Sequence, residues 1–323
     1  MAEKKYDVLA LGELLIDFTE NAVSSQGNPM FEANPGGAPC NVLAMLNKLG
    51  KKTAFMGKVG KDQFGVMLRN VLNELGIGTE ALYEDEDVRT TLAFVHTAED
   101  GDRDFAFYRN PGADMMLDVS EVREEMIMDA KIFHFGTLSM THEGVREATK
   151  KGLRIAREHD ILISFDPNLR PPLWKSLDEA KEQILYGLGQ CDILKISDDE
   201  ILFVSGCDTI EAGVDWIRER YGNIRLLLAT LGKEGSYAYY KDQKVMAKPF
   251  LNPNTIETTG AGDTFCACIL NYVLEHGLDE LNEKDLLEML TFANGASSLI
   301  TTRRGALKVM PEKEEVEQYI SGR

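Results

Sequence analysis

Residues 132–166 read IFHFGTLSMTHEGVREATKKGLRIAREHDILISFD, and this stretch contains the pattern that repeats along the chain. Two short, almost entirely apolar runs at 132–136 and 161–166 flank a segment at 141–159 whose apolar residues recur at helical spacing. Strands that are covered on both faces give continuous apolar runs, whereas a strand with one wet face alternates. The stretch therefore predicts a strand, a helix and a second strand of a parallel sheet.

The same alternation continues on both sides of this stretch. Further apolar runs bounded by Gly, Asp or Asn occur at 6–12, 53–60, 192–197 and 225–232. Segments with helical spacing occur at 41–50, 63–75, 176–188, 210–221, 263–276 and 283–300. Because strands and helices alternate, we expect a layered α/β fold with a mostly parallel central sheet.

Two segments break this pattern. Residues 88–97 and 103–109 alternate apolar and polar side chains at period two, and Asp100-Gly101 between them is a favoured tight-turn pair. We expect an antiparallel hairpin here, inserted into the α/β body. The irregular, strand-like stretch 14–34 can pair with it. The segments 14–34 and 88–109 would then form a small flap within one domain that spans 1–323.

Composition and charge argue against several functions for this chain of 323 residues. Its 35 Lys and Arg against 53 Asp and Glu give a formal net charge of −18, and nucleic-acid binders normally present basic surfaces. No apolar run approaches the ~20 residues that span a bilayer, and the N-terminus lacks the pattern of a signal peptide. We therefore expect a cytoplasmic protein that binds neither nucleic acid nor membranes. The 5 scattered cysteines suggest no disulfide framework.

The strongest functional signal is TIETTGAGDTFCAC at 255–268. Gly260, Ala261 and Gly262 open a predicted helix, and small residues let an anion approach the free N–H groups of its first turn. Asp263 lies among these donors, where a carboxylate can deprotonate a hydroxyl that attacks a phosphoryl group. The simpler interpretation of Asp263 is a helix cap. A cap does not need Gly-Ala-Gly before it, so we favour the catalytic interpretation.

A second glycine-rich helix start, PGGAPCNVLA, lies at 35–44. Gly36 and Gly37 would let backbone N–H groups approach a ligand, and Asn41 would project from the first turn toward a polyol hydroxyl. Taken alone, this segment is equally well explained as an ordinary turn before a helix. Upstream, Asp17 stands just beyond the first predicted strand, which is a common place for ligand contacts in open α/β sheets.

A phosphate site without the common glycine-rich loops narrows the families to consider. The sequence G-x-x-x-x-G-K-[ST] does not occur, and a dinucleotide fingerprint would need Gly where Phe265 stands. Taken together, the segments 12–17, 35–44, 166–174, 230–235 and 258–265 resemble the ribokinase-like (PfkB type) sugar kinases, in order and over essentially the whole chain. Within that family, the segments 58–65, 91–95, 107–114, 165–174 and 194–200 are most similar to fructokinases.

This resemblance implies a ribokinase-like three-layer fold, with a small β-sheet lid, and transfer of a phosphoryl group from ATP with Mg²⁺ to O6 of fructose. It implies that Asp263 is the general base and that residues 260–262 form the anion hole. The implied sugar contacts are Asp17, Gly36, Gly37, Asn41, Phe107, Arg109 and Arg170. The implied ATP contacts are Asn168, Lys195, Thr230, Gly232, Gly235, Gly262 and Asn294.

The resemblance also implies two cation sites, and the sequence departs from the family pattern near both. Glu200 is implied to bind Mg²⁺ through water, in a segment that has Ser197 where the family has Asn. Glu257 stands where the family has Asp. With Thr259 and the late loop 302–306, it marks a candidate K⁺ site.

Three functions stay open on the sequence. The first is a fructokinase, and the second is a sister kinase that acts on 2-keto-3-deoxygluconate, ribose or a nucleoside. The third is a sugar- or nucleotide-binding regulator without catalysis, against which the intact Asp263 argues. The exposed edge of the lid offers a surface for a homodimer.

Overall fold

The computed structural model of the chain describes residues 4–97 and 103–322. The strands in these residues are β1 (Tyr6–Leu11), β2 (Leu15–Val23), β3 (Pro29–Gly36), β4 (Thr53–Gly60), β5 (Gly78–Asp85), β6 (Leu92–Thr97), β7 (Arg103–Tyr108), β8 (Ala130–Gly136), β9 (Leu162–Asp166), β10 (Ile193–Ser197), β11 (Leu226–Thr230), β12 (Ser236–Tyr240) and β13 (Gln243–Ala247). The helices are α1 (Ala38–Lys48), α2 (Gln63–Glu74), α3 (Glu124–Met128), α4 (Glu143–Glu158), α5 (Leu177–Leu188), α6 (Asp198–Ser205), α7 (Ile210–Arg220), α8 (Ala261–His276), α9 (Glu283–Ile300) and α10 (Lys313–Ser321).

Nine of these strands form one large sheet in the order β13-β12-β11-β10-β9-β8-β1-β4-β5. The strands from β11 to β5 are parallel, and Leu9 of β1 pairs with Ala54 of β4 on one side and with Phe133 of β8 on the other. Strands β12 and β13 continue the sheet antiparallel at one edge. The prediction of an α/β fold with a mostly parallel central sheet is confirmed.

Helices cover both faces of the large sheet, and residues 8–11 of β1 illustrate why its strands contain long apolar runs. Val8 and Ala10 pack in one core with residues of α1, α8 and α9, whereas Leu9 and Leu11 pack in a second core with residues of α4, α5 and α7. All four side chains are completely buried. A strand covered on both faces has no position at which a polar side chain reaches water. Apolar and polar side chains therefore do not alternate along it.

The remaining strands form a separate sheet, which we call the small sheet, in the order β3-β2-β6-β7. Strands β6 and β7 pair antiparallel, as the period-two pattern predicts, and β2 lies parallel to β6. Phe18 of β2 stacks on Phe94 of β6 with ring centroids 4.9 Å apart. The predicted turn at Asp100-Gly101 lies outside the described residues.

The connections place the small sheet at the carboxyl ends of the parallel strands of the large sheet. The chain passes from the carboxyl end of β1 into β2 and returns from β3 directly into α1, so the small sheet is tethered where parallel strands end. In open α/β sheets, ligands bind in the crevice at the carboxyl ends of the strands. None of the helices in residues 4–97 and 103–322 is long and apolar enough to cross a membrane.

Candidate active site

A pocket of about 490 Å³ lies between the small sheet, the ends of β9 and β10 and the first turns of α1 and α8. Many of the residues that the sequence singles out line it: Asp17, Gly37, Asn41, Phe107, Asn168, Arg170, Lys195, Glu200, Glu257, Thr259, Gly260, Gly262 and Asp263. Segments far apart in sequence therefore meet at one site. Its mixed polar and apolar wall suits a small polar ligand.

Asp263 lies at the base of this pocket, in the first turn of α8. The helix begins after Gly260, whose φ of +74° suits glycine, and a Cβ at that position would lie 2.7 Å from Cβ of Ala306. The Asp263 carboxylate does not cap its own helix; its Oδ2 accepts a hydrogen bond from Nδ2 of Asn41 at 2.8 Å. Burial raises the pKa of Asp263, and the Asn41 hydrogen bond opposes that rise. A carboxylate whose pKa is raised is a stronger base than a free one, which suits Asp263 to accept a proton.

Asn41 comes from the first turn of α1. The helix is preceded by Gly37, whose φ is +126° and whose Cβ, if present, would lie 2.4 Å from the Glu13 carbonyl oxygen. The amide Nδ2 of Asn41 is bonded to Asp263, whereas its Oδ1 is buried and has no hydrogen-bond partner in the described residues. A buried oxygen without a donor is unfavourable unless a ligand supplies one. Asn41 can therefore hold Asp263 and accept a hydroxyl hydrogen at the same time.

Lys195 provides positive charge beneath the first turn of α8. Its Nζ is 2.9 Å from Oδ2 of Asp166, and a Cβ at Gly262 would lie 3.1 Å from the same Nζ. Burial acts to lower the pKa of Lys195, but the neighbouring carboxylates, led by Asp166, raise it overall, so the ammonium group stays charged. Together with the first-turn N–H groups of α8, Lys195 makes this region favourable for an anion.

Asp17 lies on β2 of the small sheet, within the stretch 14–34 that the sequence analysis describes as strand-like, and β1 itself ends at Leu11. Its Oδ2 lies 2.3 Å from where a Cβ of Gly36 would be, so only glycine at 36 leaves room for this carboxylate. Burial raises the pKa of Asp17 to about 7. The side chain lines the pocket and makes no hydrogen bond to another described residue.

Arg109, like Gly36, is a predicted sugar contact that does not line the pocket. Its guanidinium and the carboxylate of Asp114 form an ion pair, with Nη2 and Oδ2 2.7 Å apart and both side chains buried. It also donates to Oγ1 of Thr141 and to the Leu138 carbonyl, both at 2.9 Å. This arrangement anchors the end of the small sheet to the body, and the predicted contact of Arg109 with a sugar stays a prediction.

Three other predicted residues reach the pocket, two from half-buried positions and one from an exposed position. Phe107 of β7 lines its wall, and Asn168, at a φ of +47°, lines it beyond β9. Arg170 is exposed, and its Nη1 donates to the Leu169 carbonyl at 3.1 Å. The remaining donors of Arg170 can contact an anionic or hydroxyl-rich ligand.

The predicted nucleotide residues at the β11–β12 turn and on α9 lie outside the pocket lining. Gly235, at a φ of +104°, would place a Cβ 2.3 Å from the Ala247 carbonyl, so the turn itself requires glycine. Asn294 donates to the Ala247 carbonyl at 3.2 Å and accepts from Oγ of Ser236 at 2.9 Å. Thr230 and Gly232 lie at the same turn. The predicted contacts of these residues with ATP stay predictions.

Glu200 fits a role in binding a cation through water. One of its carboxylate oxygens accepts the N–H of Leu169 at 2.7 Å and the other accepts the N–H of Ser197 at 2.9 Å. Ser197 and Glu200 thus form the capping box of α6. Each carboxylate oxygen keeps a second acceptor site, and Mg²⁺ usually retains several of its waters.

Glu257 joins the segment before α8 to the late loop. Its Oε1 accepts the N–H of Gly305 at 2.9 Å, and Thr259, Gly305 and Ala306 line the pocket beside it. This contact brings together the two segments whose backbone oxygens would surround a monovalent cation. In the described residues no cluster of three or more His, Cys, Asp or Glu side chains is arranged to hold a metal directly.

Several residues that line the pocket are not among those predicted from the sequence, and Glu13 and Asn34 are two of them. Glu13 is 3% exposed, and burial raises its pKa to about 7. Its position between Gly12 and the first residues of β2 is the signal that could have identified it. Asn34 lies on β3 and is 3.1 Å, through Oδ1, from where a Cβ of Gly305 would be. No motif distinguishes Asn34 in the sequence.

Comparison with known proteins gives a consistent result. The profile of the pfkB family carbohydrate kinases matches residues 5–313. Fructokinase-1 from Zea mays is 41% identical over 322 residues, which cover 99% of this chain and 99% of that protein. The crystal structure of fructokinase from Xylella fastidiosa with bound ATP has a TM-score of 0.86 at 29% identity, over 98% of this chain and 99% of that chain. A fructokinase double mutant from Vibrio cholerae O395, with fructose, ADP and potassium ion bound, has a TM-score of 0.87 at 26% identity, over 99% of this chain and 100% of that chain.

Proposed function

The chain belongs to the pfkB family of carbohydrate kinases, and from this membership we propose that it transfers the γ-phosphoryl group of ATP to O6 of fructose. The observation that carries the proposal is the pair formed by Asp263 and Asn41 at the base of the pocket. The pair lies where the first turn of α8 can bind the transferring phosphoryl group. The fructokinases from Zea mays, Xylella fastidiosa and Vibrio cholerae support fructose as the acceptor.

The residues divide into three roles. Asp263 accepts the proton of the sugar hydroxyl as that hydroxyl attacks, and Asn41 fixes the direction of the carboxylate. The N–H groups at 260–262 and the ammonium of Lys195 neutralise charge that develops on the phosphoryl oxygens. Asp17, Gly36, Gly37, Phe107 and Arg170 hold the sugar, with the Asp17 carboxylate accepting hydroxyl hydrogens.

The nucleotide would extend from the first turn of α8, at the pocket, to the β11–β12 turn, which lies outside the pocket lining. Asn168, Thr230, Gly232 and Gly235 would contact ATP, and Asn294, whose amide is bonded within the protein, would contact it only by packing. Magnesium bound with ATP would neutralise phosphate charge, and Glu200 would hold one of its waters. Glu257 and Thr259 would border a potassium site, a proposal that the potassium-bound fructokinase from Vibrio cholerae supports.

The small sheet acts as a lid in this proposal. The segments 14–34 and 88–109 would close over the sugar and exclude water, which would otherwise compete for the phosphoryl group. Its exposed residues include Met30, Phe31 and Tyr108, and a second copy of the chain could pack there to form a homodimer.

A coupled assay of ADP release tests the acceptor. Fructose, glucose, ribose, 2-keto-3-deoxygluconate and adenosine are compared with Mg-ATP as donor, with and without potassium. We expect fructose to give the highest kcat/KM. A preference of tenfold or more for adenosine or 2-keto-3-deoxygluconate would show that the chain is a sister kinase of the same family.

A further inference from the structure

Helix α1, which carries Asn41, lacks a cap of its own. Its N-cap residue is Gly37, which has no side chain, and its first turn contains no acidic residue. The missing partner comes from elsewhere in the chain, because Oε1 of Glu13 accepts the N–H of Ala38 at 2.8 Å. A carboxylate at this place satisfies an orphan donor and interacts favourably with the helix dipole. Glu13 therefore caps α1 from outside the helix.

The position of this cap bears directly on Asp263. Ala38 and Asn41 are three residues apart and lie on the same face of α1. Asn41 in turn donates to Asp263 at 2.8 Å. A shift of the first turn of α1 would consequently move the amide that orients the carboxylate. The backbone restricts such a shift as well, since the Glu13 carbonyl oxygen lies 2.4 Å from where a Cβ of Gly37 would be.

Glu13 also faces the same enclosed space as Asp263. It lines the sugar pocket, and it lines a second cavity of about 10 Å³ beneath that pocket, together with His134, Asp166 and Asp263. A cavity of this size is at the lower limit for holding one water molecule. The carboxylate of Glu13 is thus enclosed next to the residues of the active site and is not a surface group.

We propose that Glu13 is a positioning residue for phosphoryl transfer: by capping α1, it holds Asn41 where Asn41 orients Asp263. This inference rests on the proposed function, in which Asp263 accepts the proton of the sugar hydroxyl. Glu13 exchanges no proton with the substrate. It acts through the helix, and its effect depends on its charge because an ionised acceptor makes a stronger hydrogen bond than a neutral one.

The charge of Glu13 changes within an accessible pH range. Burial raises its pKa to about 7, although the Ala38 N–H opposes the rise. The cap is therefore strongest above pH 7 and weakens below it. The titratable and charged groups that face Glu13 are Asp114 and Arg109 beside the small sheet, Cys40 of α1, and His134, Asp166 and Asp263 across the small cavity.

Glu13→Gln tests the charge of the cap while keeping an acceptor oxygen. We expect kcat/KM for fructose to fall about fivefold at pH 8, in line with the loss of one charge at a helix N-terminus. At pH 6 the two enzymes should agree within about twofold, because the wild-type carboxyl is then also neutral. KM for ATP should be unchanged. Glu143→Gln, which removes an exposed charge from the first turn of α4, is the matched control and should have no effect.

A double-mutant cycle with Asn41→Ala tests the path. If Glu13 acts through Asn41, Glu13→Gln should change kcat/KM by less than about twofold once Asn41 is replaced. An equal loss in both backgrounds, or a loss at pH 8 that persists unchanged at pH 6, would overturn the proposal. Normal kcat/KM in Glu13→Gln at pH 8 would overturn it as well.

Denaturant unfolding of the same four proteins without substrate separates this proposal from the proposed function. The coupling between Glu13 and Asn41 should be present in the free energy of unfolding at pH 8 and smaller at pH 6. If the wild type phosphorylates no sugar in the panel while this coupling is found, the proposed function fails and the helix cap stands. If the wild type is active and the coupling is absent from both stability and kcat/KM, the inference about Glu13 fails alone.

Discussion

Two regions of the molecule contain buried charges. One is the pocket floor, formed by Asp263, Asn41 and Lys195, with Asp166 paired to Lys195. The other is the base of the small sheet, where Arg109 and Asp114 pair. On the floor, the Asn41–Asp263 bond leaves Oδ1 of Asn41 without a partner among the residues that the structure describes. At the base of the small sheet, Arg109 directs its donors to Asp114, Thr141 and Leu138. Burial and charge are similar in the two regions. They differ in how much hydrogen-bonding capacity is left for a ligand.

This difference assigns roles that the motifs alone do not. Some polar groups are fixed by one hydrogen bond and keep a second hydrogen-bonding atom facing the pocket. Such groups are suited to catalysis, since they need no reorganisation when the substrate binds. Groups whose bonds are all made within the protein are suited to holding the structure. Asp17 is a third case, because it lines the pocket with no hydrogen bond to its side chain from the described residues. Four substitutions test this division.

Asp263→Asn should have the largest effect. The amide keeps the shape of the side chain and can still bond to Asn41, but it cannot accept the proton of a hydroxyl. Removing a positioned base lowers rates by ~10²–10⁴, and we expect kcat to fall by that amount with little change in stability or in KM for ATP. Steady-state kinetics and thermal unfolding measure these quantities.

Asp178→Asn is the matched control for this substitution, because Asp178 is an exposed acidic residue in the first turn of α5. It should leave kcat unchanged. If Asp263→Asn kept kcat within about threefold, the role of general base would be wrong. If Asp263→Asn unfolded the protein, the main role of the pair with Asn41 would be structural.

Arg109→Ala should mainly affect stability. Removing one partner of a buried ion pair leaves the Asp114 carboxylate uncompensated, which typically costs about 3–5 kcal/mol. We expect denaturant unfolding to show a loss of this order, with similar proportional changes in KM for fructose and for ATP. Arg170→Ala is the comparison. Arg170 is exposed and lines the pocket, so its loss should raise KM for fructose without lowering the free energy of unfolding.

The opposite pattern for Arg109→Ala would assign this residue a role in binding the sugar. A selective rise in KM for fructose of tenfold or more, at unchanged stability, would mean that Arg109 leaves Asp114 when the lid closes and contacts the sugar. The resemblance to sugar kinases implies that role, and the ion pair with Asp114 argues against it.

Asp17→Asn should weaken sugar binding and stabilise the empty protein. A hydrogen bond to a charged group contributes about 1.5–3 kcal/mol, so KM for fructose should rise by roughly 10- to 100-fold. The pKa of Asp17 is raised to about 7, above its value of about 4 in an unfolded chain. Its ionisation therefore opposes folding, increasingly as the pH rises from about 4 to 7.

The Asn variant lacks this opposing charge. Its Tm without ligand should exceed that of the wild type at pH 8, and the difference should shrink at pH 5. Thermal unfolding at the two pH values measures it. If the difference in Tm between the two proteins were the same at both pH values, Asp17 would have an ordinary pKa and be well solvated.

The sequence predicts the body of the fold and the floor of the pocket better than it predicts the partners of side chains. The runs at 53–60 and 161–166 are largely apolar because both sides are covered, and local pattern suffices to identify them. The GAGD segment likewise marks α8, because a glycine at positive φ and a first-turn carboxylate are local features. Helix and strand periodicity therefore identify most of the large sheet.

Other features depend on contacts that periodicity cannot show. The short hairpin of β12 and β13 gains its stability from pairing with β11 and from α9, not from its own pattern. Arg109 has the charge and position expected of a sugar contact, but Asp114 and Thr141 determine where it points. Glu13 is linked to Ala38 over 25 residues of sequence, and no spacing rule predicts such a cap.

Asn294→Ala should have the smallest effect. Its amide donates to the carbonyls of Ala247 and Lys248 at 3.2 and 3.1 Å, and its Oδ1 accepts from Ser236, so α9 is tied to the β12–β13 hairpin. Like Arg109, it has its bonds within the protein. We expect a loss of about 1 kcal/mol in unfolding free energy per net hydrogen bond, and a rise in KM for ATP of less than about threefold. Ser236→Ala removes one of these bonds and leaves Asn294 in place, so it should lower stability less and leave KM for ATP unchanged. A tenfold rise in KM for ATP in Asn294→Ala at full stability would instead mean that this side chain exchanges its backbone partners for the nucleotide, and that bonds made in the empty protein do not exclude a binding role.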